Sequence, residues 1–180
     1  FLPARQNFEY IIREFRNEDI KYEAMYWMAR TSLSTKNFKM TREWLDQIDA
    51  EKDFPEELEA DVEILKSAFH LQQNEKDAAN PHLHKSIKKN KNKKEKVRHQ
   101  YLLAQLYKEK EDYRKAALMF ERVYKSNHAD YEMGFNAKIN MAECYGKLGG
   151  SYKDMKKLLT KMLRDDKNID YLDQVYYALA

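Results

Sequence analysis

VRHQYLLAQLYKEKEDYRKAALMFERVYKSNHAD, residues Val97 to Asp130, decides how the rest of the chain is read. With Val97 as position 1, large or small residues stand at fixed offsets. Leu103 is at 7, Ala104 at 8, Tyr107 at 11, Tyr113 at 17, Ala116 at 20, Phe120 at 24 and Val123 at 27. Small residues at 8 and 20 suit a close crossing of two helices, and the large residues beside them fill the space around it. A single hairpin of this kind cannot bury its own apolar face, so the pattern calls for neighbours of the same kind.

These offsets are those of the tetratricopeptide repeat. The same register, laid over the rest of the chain, predicts full repeats at residues 22–55, 61–94, 97–130 and 135–169, with half repeats at 1–18 and 171–180. In the first half repeat, Ala4, Phe8, Ile11 and Ile12 take the second-helix positions. Met28 and Ala29 open the pattern in repeat 22–55, which departs from it at Ser32 (11) and Thr41 (20). Repeat 61–94 fits worst, with Asp77, Asn80 and His84 at 17, 20 and 24; a one-residue slip would put Ala79 in the small position. Pro81 suits only the first turn of a helix, so that helix is expected to start near Asp77 or Ala78. Met141, Ala142 and Tyr145 mark repeat 135–169, with Tyr131 to Gly134 as an extra turn before it and Gly149-Gly150 as a lengthened turn within it. Tyr177 and Ala178 take positions 7 and 8 of the last half repeat. The expected fold is all-α, an α-solenoid of about ten antiparallel helices wound as a right-handed superhelix. The pattern begins and ends mid-repeat, which reads as a fragment of a longer array.

Composition agrees with helices. Only four Gly and three Pro occur in 180 residues, too few to break long helical segments often. The net charge of +3 against 35% charged residues argues against general nucleic-acid binding, which needs a clear positive excess. No apolar run approaches the ~20 residues that span a bilayer, and no lipid-attachment Cys stands near the start. The single Cys144 excludes an internal disulfide and reads as a small buried hydrophobe. His82 and His84, two apart on a helix, point to different faces and are poorly placed to chelate. No phosphate loop, nucleophile elbow or metalloprotease motif is present, so neither catalysis nor a cofactor is expected.

First helices line the concave face of such a solenoid, and positions 2, 5, 9 and 12 point into it. The groove candidates are Tyr26, Arg30, Phe69, Gln72, Tyr101, Gln105, Lys108, Asn136, Ile139 and Glu143. Each can serve a partner or simply pack between neighbouring helices. Tyr and Arg are the preferred anchors, because they bury much area and still hydrogen-bond. Tyr101 and Gln105, or Tyr26 and Arg30, stand where chaperone-clamp repeats carry Lys and Asn, which disfavours that role. A second candidate is the run KSIKKNKNKKEKVR, Lys85 to Arg98. Lys88, Lys89, Lys91, Lys93, Lys94 and Lys96 there form either a solvated turn or a docking patch for an acidic partner or anionic surface. Aromatics are not interleaved with these lysines, so nucleic acid is the weakest reading.

YEAMYWMARTSLSTKNFKMTREWLDQI and KNKNKKEKVRHQYLLAQLYKEKEDYRKAALMFERVYKSNHADYEMGFNAKINMAECY carry a more specific likeness. With the extra turn at Tyr131 to Gly134, they resemble the tetratricopeptide lipoproteins of the type IX secretion and gliding machinery (the PorW/SprE family). That resemblance implies a non-catalytic periplasmic scaffold at the outer membrane that links machine components by protein–protein contact. The alternative from the residues alone is a soluble, cytoplasmic adaptor that holds a short peptide in its groove.

Overall fold

The computed structural model describes residues 2–16, 18–149 and 152–179. Among them are ten α-helices, one 3-10 helix and no strand. The helices are α1 (Leu2–Glu14), α2 (Ile20–Ser34), α3 (Phe38–Ala50), α4 (Glu56–Gln72), α5 (Lys76–Lys89), α6 (Lys93–Glu109), α7 (Tyr113–Tyr124), α8 (Tyr131–Lys147), α9 (Tyr152–Leu163) and α10 (Leu172–Leu179). The 3-10 segment, Asp166–Tyr171, leads into α10. No helix of the described residues is long and apolar enough to cross a membrane.

The chain forms two compact units, residues 1–91 and 92–180. In the first, α2 pairs with α3 and α4 with α5, while α1 lies on α2. Its core joins Met25, Tyr26, Ala29 and Leu33 of α2 to Leu45 and Ile48 of α3 and Val62, Leu65 and Phe69 of α4. In the second, α6 pairs with α7 and α8 with α9; α7 also lies on α8, and α10 packs against α8 and α9. Leu103, Ala104, Ala116, Phe120 and Val123 are fully buried at the α6–α7 crossing. Each large side chain there contributes roughly 1.5–3 kcal/mol of transfer free energy.

The hairpins repeat one turn. Helices ending at 34, 72, 109 and 147 are each followed, two residues on, by a left-handed residue: Lys36, Asn74, Glu111 and Gly149. The intervals between these four are 38, 37 and 38 residues. In the first three hairpins the amide of the next residue reaches back to a carbonyl of the preceding helix, as from Asp112 N–H to Tyr107 C=O at 2.9 Å. Asn37 and Asp112 then cap the helices that follow through their side chains. In the fourth turn Gly149 is left-handed, while Gly150, expected to lengthen that turn, lies outside the described residues.

Departures from the pattern have local reasons. Thr41 at the small position is fully buried, and its hydroxyl donates to the Asn37 carbonyl at 2.9 Å. Ser32 stands where the later hairpins place Leu71, Tyr107 and Tyr145, and there a cleft of about 170 Å³ opens between Met28, Thr31, Thr35 and Met40. Ala79, by the one-residue slip, is fully buried against α4. The helix α5 starts at Lys76, one residue before the expected Asp77, and carries Pro81 inside it, beyond the first turn. A helix-interior proline forfeits one ladder hydrogen bond, a cost of about 3 kcal/mol. Complete burial of Ala79, Leu83 and Ser86 on the same helix offsets it. At the other end Tyr177, expected to point inward, is 81% exposed, and Val175 is buried instead. The 3-10 segment resets the helical phase, so α10 packs through Val175, Ala178 and Leu179.

Candidate functional site

The helix α2 carries Tyr26 and Trp27 side by side, and Arg30 one turn on. Adjacent residues on a helix point about 100° apart, so the two rings diverge. Tyr26 turns into the core and is 8% exposed, whereas Trp27 stays on the surface at 41%. Their rings meet edge to face, centroids 5.5 Å apart. Arg30 closes the group: its guanidinium lies 4.9 Å over the Trp27 indole and donates from Nη1 to Tyr26 Oη at 3.2 Å. Burial pushes the Tyr26 phenol above its ordinary pKa and Asp61 adds to that, against the opposing pull of Arg30. The phenol is therefore neutral at physiological pH. Such a group offers a flat apolar face, a fixed cation and hydrogen-bond donors, the features of an interface hot spot.

Phe69 belongs to the core of the first unit. It is 4% exposed, stands edge-on to Phe38 with centroids 6.2 Å apart, and lies beneath the Arg42 guanidinium. Of its two readings, packing is the one realised. Gln72, at the last turn of α4, is exposed.

In the second unit the candidates on α6 and α8 largely engage each other. Lys108 Nζ donates to Asn140 Oδ1 at 2.7 Å and to the Glu143 carboxylate. Asn140 in turn donates to the Asn136 carbonyl at 2.8 Å. Tyr101 is half-buried, edge-on to Phe120 at 5.6 Å, and burial together with the nearby Glu132 raises its phenol pKa. Ile139 is buried and Gln105 exposed. This network ties α6 to α8 and engages Lys108 and Glu143 with each other in the free chain.

The lysine run divides in the same way. At the end of α5, Lys89 pairs with Glu59, and Lys91 lies 3.5 Å from Glu56. Lys88 sits at the helix C-terminus, where a cation complements the dipole. Lys93, Lys94 and Lys96 stand in the first turn of α6.

Two features escaped the pattern. Trp27 lies at a position that the groove grid skips, although an arginine three residues after a tryptophan is itself a signal. His82, far from idle, stacks on His70 at 5.5 Å with planes 10° apart, and its Nδ1 lies 2.6 Å from Glu63. Burial opposes ionisation of Glu63, but His82, Lys66 and Lys85 outweigh it and hold the carboxyl below its ordinary pKa. An ionised Glu63 requires that His82 Nδ1 carry the proton. Among the described residues, no group of three or more His, Cys, Asp or Glu is arranged to hold a metal ion. Cys144 is fully buried, and burial pushes its thiol up to about 11, so the reactive thiolate is suppressed. Neither a known family model nor a curated protein matches the chain.

Proposed function

We propose that the chain is a non-catalytic scaffold of tetratricopeptide-type hairpins that binds another protein through the exposed face of α2. The Tyr26–Trp27–Arg30 cluster carries this reading. An indole left 41% exposed, yet held by both a cation and a second ring, is ordered before any partner arrives. The recurring left-handed turn at 37–38-residue intervals supports the repeat reading, and continuation into a right-handed superhelix is part of the proposal. Its setting, an outer-membrane-associated periplasmic assembly for type IX secretion and gliding, rests on the resemblance of the two segments around α2–α3 and α6–α8. Immobilised full-length chain should capture at least one purified component of that machinery. Capture of none, with recovery of a cytosolic peptide partner instead, would establish the soluble adaptor.

A further inference from the structure

We infer that the cleft beside Ser32 in the first unit is a binding site for a single phenol ring, the side chain of a tyrosine brought by another polypeptide. It uses none of the residues of the Tyr26–Trp27–Arg30 cluster and does not rest on that reading. Ser32 and Asn37 line the cleft along with the residues between which it opens, and α1 contributes Arg5. The chain itself shows what such a space holds. In the α6–α7 hairpin the residue at position 11 is Tyr107, which is buried, and the Lys115 ammonium at position 19 lies 5.4 Å from the centre of its ring. In the α2–α3 hairpin positions 11 and 19 are Ser32 and Met40, and both face the cleft. Where one hairpin places its own phenol, the other has a small side chain and an open space.

Size, lining and charge narrow the occupant. Drug-sized ligands need about 300–1,000 Å³, whereas an apolar cavity of about 150 Å³ takes one benzene ring. At about 170 Å³ the cleft admits one ring. Met28 and Met40 bring thioethers, which pack well on aromatic rings. The polar groups specify a hydroxyl on that ring. Ser32 is 6% exposed, and its own hydroxyl has no partner among the described residues. A buried hydroxyl in that state is costly until a ligand pairs it. The Asn37 backbone N–H donates to the Ser32 carbonyl at 2.9 Å, which holds the two residues side by side. The Asn37 side-chain oxygen accepts from the Met40 amide at 3.2 Å, so its Nδ2 remains as a donor. A phenol hydroxyl can donate to Ser32 and accept from Asn37. Arg5, the charged residue of the lining, is paired with Glu9 at 2.8 Å, so the cleft selects a neutral group.

The test uses the full chain with isotopically labelled methionine methyls, titrated with N-acetyl-tyrosinamide, its phenylalanine analogue and p-cresol. The tyrosine amide should shift the Met28 and Met40 methyl resonances by its ring current. The phenylalanine amide, lacking the hydroxyl, should bind about fivefold more weakly. Ser32→Ala should weaken the tyrosine amide by a similar factor. Ser32→Tyr, which supplies the ring from the chain, should melt at or above the wild-type temperature and bind neither amide. Unmoved methyls, tyrosine binding unaltered by Ser32→Ala, or a Ser32→Tyr chain that still binds would overturn the assignment. So would p-cresol binding with both amides excluded, which would make the occupant a free small phenol. Ser32→Ala keeps the test decisive if the tyrosine variant does not fold.

Discussion

Ser67 shows how much one side chain can depart from a pattern. It lies at position 7 of its repeat, where Met28, Leu103 and Met141 fill the core elsewhere. It is fully buried, and its hydroxyl has no hydrogen-bond partner among the described residues. A buried hydroxyl left unpaired is costly. Ser67→Ala should therefore raise stability by about 1 kcal/mol in urea unfolding; a comparable loss would mean the hydroxyl has a partner. At this scale the sequence was partly legible. Tyr26 and Arg30 were expected to line a groove; Tyr26 turns into the core, while Arg30 bonds it and lies over the Trp27 that the grid omitted. Phe69 could not be placed beforehand, because its burial depends on Phe38 and Arg42, residues of another helix.

Hairpins were the most legible level, since small residues at fixed offsets have only one economical use. Ala29, Ala104 and Ala116 are all fully buried. Ala104→Leu should overpack the α6–α7 crossing and cost on the order of 1–3 kcal/mol; a melt equal to wild type would show the helical register to be wrong. The turns were not legible. Nothing in the identities of Lys36, Asn74 and Glu111 announces that they share a left-handed backbone, and glycine marks only the fourth. For Lys and Glu this conformation costs roughly 1–2 kcal/mol. Glu111→Gly should recover part of it, raising stability by about 0.5–1 kcal/mol in the same urea assay. A destabilised variant would show that the Glu111 side chain makes a contact worth more than the strain. The start of α5 was legible to within a residue, but Pro81 lies past its first turn, where burial of the helix overrides the preference of proline for that turn.

At the scale of the whole molecule, the two units should part company on unfolding. Both tryptophans, Trp27 and Trp44, lie in the first unit, so tryptophan fluorescence reports on it alone, while far-ultraviolet dichroism reports on every helix. In a repeat protein each element leans chiefly on its neighbours, and long-range cooperativity is weak. Urea transitions followed by the two signals should not coincide; a single shared transition would show one cooperative core.

The account rests most heavily on the α2 face as the place where a partner docks. Its most direct test is calorimetry with a machinery component captured by the wild-type chain, repeated with the Trp27→Ala, Arg30→Ala double variant. Both side chains are exposed, so helicity should be unchanged, and each anchor should contribute about 1–2 kcal/mol of affinity. A loss of roughly 30-fold or more is the predicted result. Affinity equal to wild type, with the fold intact, would contradict it.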